Sequence, residues 1–153
     1  MLDPVQPLPH RYDVVARGGP TGLLSIAAKN LPTLAAAAPA PFGGPGNVWS
    51  PEELLVASVA SCFILTFDTI AELSRLPWIE IVCPAEGILE MADGKRRFTR
   101  FYLRPTLKLP KGADAGKAEQ LLRKAEERCL ITASLSGGVS LAASIEFAED
   151  PAS

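Results

Sequence analysis

Histidine is nearly missing from this sequence. His10 is its only copy, and the three cysteines, Cys62, Cys83 and Cys129, are scattered with no C-x-x-C pair among them. A metal site would need those few ligands gathered by a coincidence of fold, so no metal is expected. A Cys-His hydrolase would need His10 beside one of the thiols, and only the presence of one histidine speaks for it. The glycine clusters lack a Gly-Lys-Ser/Thr ending, and no G-x-G-x-x-G occurs, which disfavours a nucleotide enzyme. Surplus charge is lacking as well: 15 basic residues nearly cancel 17 acidic ones. Without a basic excess, neither nucleic acid nor an anionic membrane is the expected partner. The N-terminal stretch MLDPVQPLPHRYD has no charged segment followed by an apolar run, so no secretory signal is read there. Sparse, odd-numbered cysteines in such a chain fit a reducing, cytoplasmic compartment.

What the chain does have is apolar residues. They make up 48% of its 153 residues, against 21% charged, which suits one globular domain over 1–153 with a real core. RYDVVAR (11–17) is rich in strand formers, GGPTG (18–22) reads as a turn, and LLSIAAK (23–29) returns as a hairpin arm. Residues 31–47, rich in Pro, Ala and Gly, read mostly as loop. Ser50 then starts the best-signalled helix. Ser50 suits the cap, Pro51 the first helical position, and Glu53 completes an S-x-x-E capping box. Glu52 and Glu53 sit favourably at the positive helix end. The helix is expected to run to about Arg75, before Pro77.

Apolar residues fill nearly every position from Leu54 to Phe67. That run is short for a bilayer span, so a core helix is expected, covered on all sides. A second subunit is a natural source of cover. Residues 78–91 and 97–109 read as strands joined by a turn at Ala92–Lys95, with Pro84 implying an edge or bulge. Residues 114–130 read as a second helix, with Ala115, Ala118, Leu122, Ala125 and Cys129 on one stripe. Gly137-Gly138 turns the chain into a closing strand over 139–147. Strands, helix, strands, helix, strand is an α+β order.

The chemistry therefore rests on thiols. Cys62 is open to two readings: a small hydrophobe filling a gap, or a reactive group. Cys129 carries the same pair of readings. Both lie on predicted core-facing helical surfaces of one small core, and a dithiol facing an apolar pocket is able to reduce a greasy oxidant. Cys83, next to Pro84 in a strand, is expected to be inert.

Pro51-Glu52-x-Leu54, followed by Ala57, Ala60 and Cys62-Phe63, resembles the central-helix signature of the OsmC/Ohr family, the osmotically inducible protein C and organic hydroperoxide resistance proteins. Ala125-x-x-x-Cys129, then Ile131 and Ser134-Leu135, resembles that family's second-cysteine segment. The resemblance implies an intertwined homodimer with antiparallel sheets wrapped around two central helices. It also implies thiol peroxidase activity on organic hydroperoxides in the oxidative stress response, needing no haem, flavin or other cofactor. On matching positions Cys62 is the peroxidatic cysteine, Cys129 the resolving cysteine and Glu52 the active-site carboxylate. A small dithiol or a dithiol protein would reopen the Cys62–Cys129 disulfide. The alternative on the same fold is a protein that binds an apolar ligand at the dimer interface, with thiols of little reactivity.

Two features set bounds on this reading. Glu52 precedes Cys62 by ten residues, about 15 Å along a continuous helix, so the two cannot touch within one. Either the helix is broken or the glutamate comes from another chain. The second feature is a missing cation. Organic hydroperoxide resistance proteins carry arginine in a Gly-Gly-Arg-x-Gly turn, whereas this chain has Gly18-Gly19-Pro20-Thr21-Gly22. The helical neighbours of Cys62 (Ser58, Val59, Leu65 and Thr66) are uncharged. Lowering a thiol pKa from about 8.5 to about 6.5 takes roughly 2.7 kcal/mol of thiolate stabilisation. A cation from elsewhere, Arg17, Arg97, Arg100 or Arg104, from the same chain or across the subunit interface, is the expected source.

Overall fold

In the computed structural model, which describes residues 5–149, the chain divides into a smaller unit ending at Leu55 and a larger one starting at Val56. The smaller unit is an antiparallel sheet of β1 (Val15–Arg17), β2 (Leu24–Ala27) and β3 (Leu34–Ala36). Val15 faces Ala27 and Leu24 faces Ala36, so the expected hairpin forms. The third strand lies in the stretch read as loop. Leu-Ala-Ala has little strand propensity of its own, and pairing with β2 decides its state. A single 3-10 turn, Ala40–Phe42, follows.

Helix α1 spans Pro51–Leu73 without a break. Its start is the capping box read from the sequence. Ser50 Oγ accepts the Glu53 N–H at 3.1 Å and donates to Glu53 Oε1 at 2.8 Å. By length and composition α1 is apolar enough to cross a bilayer, with a mean hydropathy of 2.0. Its buried residues nevertheless recur at helical spacing: Val59, Phe63, Thr66, Phe67, Ile70 and Ala71. They form the packed face of a core helix.

In the larger unit the three expected strands each appear in two pieces: β4 (Glu80–Val82) and β5 (Ala85–Ala92), β6 (Lys95–Leu103) and β7 (Thr106–Leu109), β8 (Gly138–Leu141) and β9 (Ser144–Phe147). They assemble as two three-stranded sheets, β5-β6-β8 and β4-β7-β9. Pro84 and Pro105 stand at the first two breaks, where a missing N–H interrupts the ladder. The backbone bridges the interruptions: Arg104 N donates to Pro84 O at 3.0 Å and Ser144 N to Pro105 O at 2.9 Å. The hairpin pairs are antiparallel, as expected, but β8 and β9 run parallel to β6 and β7. The β5–β6 turn is Asp93-Gly94, both at positive φ (53° and 76°), the backbone of a two-residue hairpin turn.

Helix α2 (Ala115–Arg128) is capped by Asp114, whose Oδ1 accepts the Lys117 N–H at 3.0 Å. Its buried stripe is Ala118, Leu121, Leu122 and Ala125. Lys117 Nζ reaches the Ser74 carbonyl just past the end of α1. A single helical turn, α3 (Leu130–Ala133), follows. The core holds Phe63, Phe67, Phe101, Leu103, Leu107, Leu109 and Leu122, all fully buried. Phe67 meets Trp78 edge-on at 5.6 Å. Gly87 is what lets β5 close on α1: a Cβ there would lie 2.7 Å from Val56 Cγ2 and 3.0 Å from the Phe98 ring.

Candidate functional site

Cys62 projects from α1 half-buried, between the fully buried Val59 and Phe63. Cys129 was expected in the last turn of the second helix. It stands instead just past α2, at φ −65° and ψ 117°, and caps the start of α3. This break has a chemical consequence. The first N–H groups of a helix have no acceptor within it and need one elsewhere. Leu130 and Ile131 turn theirs to the Cys62 sulfur, and Thr132 turns its own to Cys129. Cys129 is only 2% exposed, and its thiol hydrogen-bonds Cys62. The structure thus brings the two thiols together, both in reduced form.

The electrostatics of the pair are unequal. Burial pushes the Cys62 thiol up, but hydrogen bonds from Cys129, the Ile131 N–H, Thr66 and the Leu130 N–H outweigh it and leave the thiol below its ordinary range. Cys129 is held above its range, first by burial and then by the neighbouring Cys62, with Thr132 opposing. Ionisation is therefore favoured at the half-buried sulfur and opposed at the buried one. Thr132 Oγ1 also donates to the Cys129 carbonyl at 3.1 Å, which steadies the bend between α2 and α3.

The groups that hold Cys62 down are uncharged. Arg97 pairs with Asp93 at 3.5 Å, and Arg104 pairs with Glu86 at 3.9 Å while lying over the Tyr102 ring. Arg100 packs against Gly138. These three arginines serve the β5–β6–β8 sheet, and Arg17 lies exposed on β1. Among the described residues, the groups that lower Cys62 are thiol, hydroxyl and backbone donors, and none of the four candidate arginines is one of them. Glu52 is half-buried in the first turn of α1. Because α1 is continuous, the broken-helix route from Glu52 to Cys62 is closed. Among the described residues, no group of three or more His, Cys, Asp or Glu side chains is placed to hold a metal.

Sequence reading missed Leu130, Ile131 and Thr132 as contributors. Backbone donors leave no side-chain signal, and the Cys-Leu-Ile-Thr stretch contains neither glycine nor proline to announce a break. Thr66 was noticed only as an uncharged neighbour; its spacing of four from Cys62 was the available signal.

A reduced dithiol on an α+β fold, with one half-buried and one buried sulfur, defines a class of thiol-bearing proteins. The OsmC family model, described as OsmC-like protein, matches residues 44–144. The chain belongs to the OsmC-like family. It is 31% identical to the uncharacterized protein YmaD of Bacillus subtilis over 106 residues, 67% of this chain and 71% of that one. Its fold matches an OsmC-like protein of unknown function from Vibrio cholerae with a TM-score of 0.78 at 22% identity, covering 91% of this chain and 99% of that chain. It also matches an organic hydroperoxide resistance protein OsmC from Legionella pneumophila, a predicted redox protein, with a TM-score of 0.70 at 25% identity, covering 90% and 97% of the two chains.

Proposed function

We propose that this protein is a cytoplasmic, cysteine-based peroxidase that reduces organic hydroperoxides, working as a homodimer with residues 1–153 as one OsmC-like domain. The observation that carries this reading is the hydrogen-bonded pair of Cys62 and Cys129, with the half-buried member's pKa lowered and the buried member's raised. The Cys62 thiolate attacks a peroxide oxygen of ROOH. The O–O bond breaks, the sulfur is oxidised to sulfenic acid, and RO⁻ leaves and takes a proton to become the alcohol. The Cys129 sulfur then attacks the sulfenic sulfur, forming the disulfide and releasing water. An external dithiol, small or protein-borne, reduces that disulfide by exchange. The cycle uses only sulfur redox and calls on no cofactor.

The homodimer is supported by what a single copy leaves uncovered on α1. Leu65 is 65% exposed and Leu73 61% exposed on this otherwise apolar helix. Burying each under a second copy contributes roughly 1.5–3 kcal/mol. The same arrangement resolves the distance from Glu52 to Cys62: the carboxylate serving one Cys62 is the partner subunit's Glu52.

The rival reading, an apolar-ligand binder with idle thiols, requires a Cys62 that alkylates slowly near neutral pH. The lowered pKa of Cys62 favours the peroxidase. A steady-state assay decides it. Consumption of tert-butyl hydroperoxide with dihydrolipoamide, faster than that of hydrogen peroxide, is the expected result. No consumption of either peroxide would overturn the peroxidase reading.

A further inference from the structure

Thr66 is a buried hydroxyl in an apolar neighbourhood. It is 0% exposed, on the face of α1 that carries Phe63, Phe67 and Ile70 into the core. A hydroxyl so placed must find a hydrogen-bond partner or cost the fold its desolvation. Its partner is the Cys62 sulfur, one helical turn back, with Oγ1 3.8 Å from Sγ. Valine has the same shape and would fill this position without a polar atom, so packing alone gives no reason for the hydroxyl. The reason lies in the sulfur. A donor to an ionised acceptor makes a stronger bond than a donor to a neutral one, so the bond favours the thiolate over the thiol.

We infer that Thr66 keeps Cys62 reactive in this chain, its buried hydroxyl donating to the thiolate where every group that stabilises it among the described residues is uncharged. The inference rests on Cys62 being the working thiol of the proposed peroxidase. Both groups belong to one helix: a spacing of four residues puts the hydroxyl and the sulfur on the same face of α1. The other donors to Cys62 come from the α2–α3 bend, so Thr66 is the one that survives a shift of that bend. Thr66 keeps its own proton throughout; it holds the anion and transfers nothing. A site held by neutral donors also depends little on ionic strength, whereas a cation-activated thiolate is screened by salt.

The test reads Cys62 directly and needs no peroxide. Iodoacetamide alkylation is followed against pH in the reduced full-length protein, with the Cys62 peptide quantified by mass spectrometry. Thr66→Val should move the midpoint to higher pH and slow labelling about tenfold at neutral pH, while leaving the rate at the alkaline plateau unchanged. Thr66→Ser should restore the wild-type midpoint, and salt should leave it in place. A merely structural role would alter the plateau or unfold the protein without this pattern. A Thr66→Val profile that superimposes on wild type would overturn the inference. Should the valine variant not fold, Thr66→Ala against Thr66→Ser decides: equal midpoints overturn it, and a raised midpoint in alanine alone supports it. Failure of the peroxidase reading is distinguishable, because it leaves these profiles intact while peroxide goes unconsumed.

Discussion

Cys62 and Cys83 are both half-buried thiols in the same structural unit, and they have opposite characters. Burial pushes Cys83 up to about 11, and a backbone hydrogen bond from Arg104 offsets only part of it. Burial pushes Cys62 up as well, yet four donors more than reverse it. Burial weighs more heavily on Cys83, but it raises both thiols and does not by itself give them opposite signs. The sign is set by the donors aimed at the sulfur, four at Cys62 against one at Cys83, weighed against burial.

The largest expected break in that comparison is Cys62→Ser, which should abolish hydroperoxide consumption in the dithiol-coupled assay. Cys83→Ser should leave turnover within about twofold, since the stronger alkaline shift marks a thiol that stays protonated. Turnover lost in Cys83→Ser, or kept in Cys62→Ser, would reverse the assignment. Cys129→Ser is next: a single oxidation of Cys62 should persist, seen as one sulfenic acid per chain by dimedone trapping, while disulfide-linked recycling stops.

Labelling sharpens the contrast without activity. At neutral pH, Cys83 should alkylate about a hundredfold more slowly than an unperturbed thiol, following its rise from 9.0 to about 11, while Cys62 alkylates faster than one. Stability against pH carries the same signs. Cys62 has a folded pKa below its unfolded one, so it adds stability as pH rises to about 9 and loses it as pH falls through the folded value. Cys83 works the other way. Between the ordinary 9.0 and about 11 the unfolded chain has released a proton that the native state retains, so stability falls as pH rises. Cys83→Ser should flatten that alkaline loss in denaturant titrations. The smallest effect concerns the scaffold. Gly87→Ala, forced against Val56 and Phe98, should cost about 1–3 kcal/mol by chemical denaturation, with the Cys62 labelling midpoint unchanged.

Much of this fold was legible because its signals are local. The capping box at Ser50 and Glu53, the Asp114 cap and the Asp93-Gly94 turn each follow from residues within a few positions of one another. The long strands were legible too, and Pro84 hinted at their interruption. Strand β3 was not, because Leu34–Ala36 takes its state from pairing with β2. Nor was the parallel pairing of β8 and β9, which depends on where the chain returns after α2. In the site, Cys62 and Cys129 were visible as thiols on apolar helical faces. Within the chain, three of the four candidate arginines, Arg97, Arg104 and Arg100, lie against Asp93, Glu86 and Gly138, a placement that spacing in sequence does not reveal.

Local sequence was enough to place the start of α1, to put Cys62 on it beside Phe63 and to set Thr66 one turn further on, because helical spacing follows from the chain alone. Tertiary folding set the end of α2 at Arg128 and turned the freed N–H groups of Leu130 and Ile131 toward Cys62, a sulfur distant in the sequence. Backbone donors are the same in every residue. Only the folded path determines which of them are left without a helical acceptor, and what they find in its place.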